Sequence, residues 1–117
     1  MADTDTTLAN LLRHVTEFVS EREWEHFHTP KNLSAAIAIE AAELLEHFQW
    51  LSDDRAADNM EDAAEREAVA DELADVMIYC LSLANALDVD LSTAILQKLK
   101  RNERRFPVEQ WRGRAGR

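Results

Sequence analysis

The first 112 residues of this 117-residue chain contain no glycine; the only two are Gly113 and Gly116. This one absence removes several folds and several ways of handling a ligand. A Gly-x-Gly-x-x-Gly turn and a P-loop both need glycine where the backbone approaches phosphate, so neither exists here. Tight hairpin turns also favour glycine, which argues against a β-rich fold. Alanine and leucine together supply 32 residues, and both favour helix. The expectation is an all-α protein. If it handles phosphates, it does so with side chains and metal, since no glycine cradle is present.

Hydrophobic spacing predicts four long helices. The first spans about Thr6–Glu23, with Leu8, Leu11, Leu12, Val15, Phe18 and Val19 on one face. A linker, Trp24–Lys31, carries Pro30. The second helix spans about Leu33–Leu51, with Asn32 as its predicted N-cap and Ile37, Ala41, Leu44, Phe48 and Leu51 as its stripe. Residues 52–60 read as a polar loop. The third helix spans about Glu61–Leu87, its acidic opening suited to a helix N-terminus. The fourth runs from Leu91 to about Arg105, capped by Asp90 and stopped by Pro107. Residues 108–117 read as a flexible basic tail. The length fits one domain, residues 1–117. Four amphipathic helices in so short a chain predict a four-helix bundle-type protomer, with leftover apolar faces buried in a homo-oligomer.

Charge is unevenly distributed. The net charge is −10, but residues 98–117 carry +6 and residues 1–97 carry −16. A body of that sign repels a nucleic-acid backbone, so no nucleic-acid partner is expected. The longest mostly apolar stretch, Val76–Leu87, is too short to span a membrane. The acidic N-terminus lacks a signal-like apolar core. The single cysteine, Cys80, excludes an intrachain disulfide. These features predict a cytoplasmic protein with no membrane partner.

The informative residues are acids in mid-helix. At 100° per residue, with Glu40 at zero, Glu43 lies at about −60° and Glu46 at about −120°, against an apolar stripe near +60°. On the third helix, with Glu72 at zero, Asp75 lies at about −60° and Tyr79 at about −20°, against a stripe near +80°. Each helix therefore carries a carboxylate ladder along the flank of its buried face. If the two helices pack together, the carboxylates converge, and like charges raise one another's pKa. A hard divalent cation such as Mg²⁺ relieves that cost and commonly bridges carboxylates to phosphates. Solvated helix faces would carry such acids too, so both readings stand at this point. Lys98, Asn102 and Arg105 share a stripe on the fourth helix and could supply cationic and amide donors to a polyphosphate, or simply meet the helix C-terminal dipole. Trp24, Trp50 and Tyr79 lie near the ladders, where aromatic faces could stack on a nucleobase or serve as core. His28 could hydrogen-bond a ligand. A di-iron carboxylate site is a further alternative, since Glu23-x-x-His26 and Glu25-x-x-His28 have the required spacing. A non-catalytic helical interaction module is another.

Four segments carry a resemblance. They are Trp24-Glu-His-Phe-His-Thr-Pro-Lys-Asn-Leu33, Ile39-Glu-Ala-Ala-Glu-Leu-Leu-Glu-His-Phe-Gln-Trp50, Asp71-Glu-Leu-Ala-Asp-Val-Met-Ile-Tyr79 and Lys98-Leu-Lys-Arg-Asn-Glu-Arg-Arg-Phe-Pro107. In this order they resemble the MazG-like all-α nucleoside triphosphate pyrophosphohydrolases, most closely the dCTP pyrophosphatase branch. The resemblance covers about residues 8–108. It implies Mg²⁺-dependent hydrolysis of a (deoxy)nucleoside triphosphate, dCTP or a modified dCTP included, to monophosphate and pyrophosphate, with Mn²⁺ as a substitute ion. Such chemistry suits nucleotide-pool sanitation. By motif match it implies Glu40, Glu43, Glu72 and Asp75 as metal ligands. Glu43 or Glu46 would orient or deprotonate the water, and Lys98 and Arg105 would contact the triphosphate. Asn102 and Tyr79 would lie against sugar or base; Trp24, His28 and Trp50 would build the base pocket, with Asn32 near its rim. It also implies a homodimer or homotetramer whose sites a neighbouring subunit helps complete. Two departures are visible. Phe106 stands before Pro107 where the family usually has tyrosine, and Ala41 follows Glu40 where many larger members have a second glutamate. The second favours the small single-domain branch.

Overall fold

The structure, a computed structural model, describes residues 1–114. Among these residues every regular element is helical. The elements are α1 (Leu8–Glu21), a 3₁₀ turn (Glu25–Phe27), α2 (Pro30–Glu46), α3 (Asp53–Asn59), α4 (Ala63–Ala86), α5 (Leu91–Arg105) and α6 (Val108–Trp111). The all-α expectation holds. Among the described residues no single helix is long and apolar enough to cross a membrane.

Side-chain caps set most of the helix starts. Thr7, Thr29, Ser52, Asp62 and Asp90 each accept a hydrogen bond from the backbone N–H three residues on, at 2.9–3.3 Å, satisfying donors that the first turn leaves free. Asp90 caps its helix as expected. Asn32 does not cap the second helix. Thr29 does, because Pro30 sits at the first helical position, where its missing N–H costs nothing and its fixed φ suits the helix. The predicted loop at 52–60 contains α3: Ser52 caps it, and Asp53 and Asp54 meet the positive end of its dipole. Residues 108–111, expected to be part of a flexible tail, form α6. Its Trp111 packs edge-on against Phe106, ring centroids 5.0 Å apart. Residues 115–117 of that predicted tail lie outside the described residues.

Lack of glycine shows most clearly at two helix ends. After α1, Glu23 adopts φ +53°, and after α4, Asp88 adopts φ +55°. Around Glu23, the N–H of Trp24 donates to Val19 O at 3.1 Å and that of Glu23 to Ser20 O at 3.0 Å. Around Asp88, the N–H of Val89 donates to Ala84 O at 2.8 Å and that of Asp88 to Asn85 O at 3.2 Å. Both are Schellman endings, which normally place glycine at the left-handed residue. A side chain there is strained by roughly 1–2 kcal/mol. Asp88→Gly is therefore expected to raise unfolding stability by about 0.5–1 kcal/mol, read from a urea melt; no gain would mean that the Asp88 side chain offsets its own strain.

α2 and α4 form the central pair, and α1 packs on α4. His47 meets Glu65 at 2.9 Å, and seven residues along, Glu40 meets Glu72. Equal steps of two helical turns in opposite chain directions show that the pair is antiparallel. Among the described residues Leu33, at 2% exposure, is the most buried side chain, and Leu81, Ala84 and Ser82 complete the small buried set. The fourth long helix of the expected bundle, α5, turns away from α4 at 101° and makes only marginal contact within the chain. Its apolar residues Ile95, Leu96 and Leu99 are 46%, 62% and 52% exposed. The radius of gyration, 17.2 Å, exceeds the about 13 Å of a compact chain of this length.

Candidate active site

Antiparallel alignment of α2 and α4 joins their two ladders. Carboxylate oxygens of Glu40, Glu43 and Glu72 all lie within 4.8 Å of one another, and all three residues are half-buried. One oxygen of Glu40 and one of Glu72 are buried with no hydrogen-bond partner. Asp75, one turn along α4 from Glu72, is near enough for its charge to act on both.

The electrostatics are strained. Desolvation, foremost, pushes the Glu40 carboxyl from its ordinary 4.5 up to about 7, helped by the hydrogen bond and charge of Glu43 and by the charge of Asp75. Glu72 is raised as well, again chiefly by desolvation, then by Glu43. Orphaned oxygens and raised carboxyls are what a cation would relieve, and an all-oxygen donor set suits a hard divalent ion. The residues present therefore fit a divalent metal. The cluster contains carboxylates only, whereas Glu23, Glu25, His26 and His28 sit between α1 and α2, outside both helices. The helical Glu-x-x-His arrangement of a di-iron site is thus not formed.

A pH test follows. Between pH 4.5 and about 7, folded Glu40 holds a proton that the unfolded chain has lost. More protons bound in the folded state means that this contribution to stability falls as pH rises through that window. Without divalent ions, the melting temperature of the wild type should fall across it relative to Glu40→Gln, which lacks the titrating group. Added Mg²⁺ should raise the wild-type melting temperature strongly at pH 8 and little at pH 5, because only ionised carboxylates bind it. A pH-independent response in scanning calorimetry would contradict the assignment.

A cavity of about 370 Å³ opens beside the carboxylates. Asp75 and Tyr79 of α4 form one wall, α1 supplies His14 and Phe18, and Trp24 and His28 close it from the connecting segment. Phe18 and Trp24 meet edge to face at 5.9 Å, and the Arg22 guanidinium lies 3.7 Å from the Phe18 ring centre. The volume lies within the range of small-molecule pockets, and the lining is mostly apolar with a few polar groups.

The fold does not gather every residue expected at the site. Trp24, His28, Asp75 and Tyr79 share this cavity, and Glu40, Glu43 and Glu72 form a cluster that Asp75 joins to it through its charge. Glu46 is exposed at the end of α2 and lies outside the cluster. Trp50 is 85% exposed, beyond the end of α2, and lines none of the three cavities. Asn32 donates from Nδ2 to Phe27 O at 3.0 Å, so it ties the 3₁₀ turn to α2. Lys98 and Arg105 are exposed and Asn102 is half-buried, all on α5 and away from these cavities. His14 and Phe18 joined the site unexpectedly. Phe18 reads as a core residue by spacing, and His14, four residues earlier, shares its face.

Fold and site together define an all-helical protein whose antiparallel helix pair presents clustered carboxylates beside an aromatic cavity. The MazG-like family profile matches residues 35–115, and the chain belongs to that family. It is 42% identical over 111 residues to dCTP pyrophosphatase 1 of Bos taurus, covering 95% of this chain and 66% of that protein. The human dCTP pyrophosphatase 1 is 43% identical over 104 residues, covering 89% of this chain and 61% of the relative. The chain thus spans just under two thirds of the length of these curated relatives. A crystal structure of a pyrophosphatase from Archaeoglobus fulgidus superposes with a TM-score of 0.81 at 38% identity, covering 92% of this chain and 98% of the other.

Proposed function

We propose that this protein hydrolyses a nucleoside triphosphate, with dCTP or a modified dCTP as the first candidate, to the monophosphate and pyrophosphate. The observation that carries this reading is the carboxylate cluster of Glu40, Glu43 and Glu72, linked by Asp75, one helical turn from Glu72, to a cavity that Asp75, Trp24 and Tyr79 line. Phosphates need metal and base needs an aromatic wall; the two lie side by side. The names of the relatives support the choice of dCTP.

In this reading Glu40, Glu43, Glu72 and Asp75 hold Mg²⁺, with Mn²⁺ as a substitute. Bound there, the ion supplies charge neutralisation to the phosphates. Glu43 accepts a proton from the attacking water or orients it; exposed Glu46 is the weaker candidate, because it lies outside the cluster. Trp24, Tyr79 and His28 bind the base and exclude water from one side of the cavity. Asn32 acts at the rim by fixing the 3₁₀ turn that carries Phe27.

Lys98, Asn102 and Arg105 enter the site when a second copy covers α5. The exposed apolar face of α5 and the extended shape support a homodimer or homotetramer. Trp50, exposed on a single chain, would reach a base pocket by the same route.

The deciding experiment is product analysis across the canonical deoxynucleoside and ribonucleoside triphosphates with Mg²⁺. One pyrophosphate and one monophosphate per substrate consumed is the expected result. Release of single phosphates, or no turnover on any substrate, would overturn the reading.

A further inference from the structure

A second, smaller cavity of about 240 Å³ adjoins the first, and the two share Val15, Val19 and His28 as a common wall. It adds hydrogen-bonding side chains of its own, among them Thr16, Ser20, Ser82 and Asn85. Ser82 is only 8% exposed, and its hydroxyl oxygen is buried without a hydrogen-bond partner. A buried hydroxyl left unpaired is costly, and native structures rarely keep one without a use. One rotation about χ1 turns it without moving the helix.

The course of α4 places this hydroxyl. Asp75, Tyr79 and Ser82 follow one another along a single helix face, the first two lining the larger cavity and the last the smaller. At 1.5 Å per residue, Ser82 lies about 10.5 Å along the helix axis from Asp75. A nucleotide whose phosphates sit at the carboxylates and whose base lies against Tyr79 points the edge of that base toward Ser82.

We propose that the smaller cavity is an annex of the nucleotide pocket that takes a hydrogen-bonding substituent on the base, with Ser82 as a specificity-determining residue. This rests on the nucleotide reading above. The annex has room for several water molecules, so a bare base leaves it hydrated, and a base bearing a hydroxyl exchanges one of those waters for a direct partner to Ser82.

Free nucleosides test the annex without hydrolysis or metal. Two matched pairs differ by one oxygen each: thymidine against 5-hydroxymethyl-deoxyuridine, and 5-methyl-deoxycytidine against 5-hydroxymethyl-deoxycytidine. By calorimetry on the full chain, the hydroxymethyl member should bind about fivefold more tightly, as one net hydrogen bond allows. Ser82→Ala should bring the ratio within each pair to one while leaving the methyl members unchanged, and Ser82→Thr should restore it. The melting temperature of Ser82→Ala should be equal or higher, because no existing bond is lost; a fall would mark Ser82 as structural and overturn the proposal. Equal binding within both pairs, or a ratio that survives Ser82→Ala, would show a cavity that holds water only. Triphosphate hydrolysis without any difference within the pairs defeats the annex alone. A difference within the pairs without hydrolysis defeats the catalytic reading alone.

Discussion

Glu43→Gln and Asp75→Asn each lower triphosphate turnover by roughly two to four orders of magnitude, the loss expected when a positioned proton acceptor or charged ligand is removed. The same variants leave the helical circular dichroism unchanged. Both substitutions keep side-chain shape and remove one negative charge. Glu43 contributes to raising Glu40 and Glu72, and Asp75 adds its charge to both. Removing either charge therefore lessens repulsion in the metal-free cluster, so the melting temperature without divalent ions stays equal or rises. Activity and stability move in opposite directions. A variant that simply misfolds loses both, so the pair of measurements separates the two causes. Turnover near wild type in either variant would remove that residue from the proposed site.

Combined replacement of Leu96 and Leu99 by aspartate is expected to disperse the proposed oligomer and abolish turnover. Both side chains are more than half exposed on the single chain, so the protomer keeps its helices. On the proposed interface the two substitutions together place two charges where apolar contacts are needed. A loss of about 4 kcal/mol, modest for two central interface residues, raises the dissociation constant about a thousandfold. Sedimentation velocity should show a shift to the monomer. In the proposed assembly turnover falls with it, because Lys98, Asn102 and Arg105 ride on the same helix and would reach the carboxylates only from a second copy. Lys98→Ala provides the complement: association persists while turnover falls. An unchanged sedimentation profile with unchanged turnover in the double variant would place α5 outside any interface.

Much of this protein is legible without coordinates, for local reasons. The carboxylate ladders follow from a 3.6-residue period that any helix imposes, which is why Glu40, Glu43 and Glu72 are found by angle alone. Asp90 as a cap is equally local, and so is Thr29-Pro30 once proline is read as the first helical residue instead of a breaker. Ser52 followed by two aspartates carries the same kind of signal for α3. Asn32 reads as a cap because asparagine favours that role, yet a competing threonine three residues earlier takes it.

Other features depend on how helices meet. His14 and Phe18 line the cavity because α1 lies against α4, a placement that no period within α1 encodes. Trp50 reads as a pocket residue from its nearness to Glu46, but the chain leaves α2 after Glu46 and carries it outward. Lys98 and Arg105 share a stripe, as their spacing requires, but the turn at Asp88 directs that stripe away from the carboxylates of the same chain.

An all-helical chain with two acidic ladders, an aromatic-rich connection and a basic last helix is written into the order of residues, because helix period, capping and charge act over a few residues. It takes the packing of the helices to bring three of the ladder carboxylates within 4.8 Å, to push the Glu40 carboxyl up to about 7, and to leave α5 standing apart with its apolar face uncovered. Those outcomes depend on distances between elements far apart in the chain, set by the antiparallel alignment of α2 with α4 and by one left-handed residue, Asp88, in a chain with no glycine to place there.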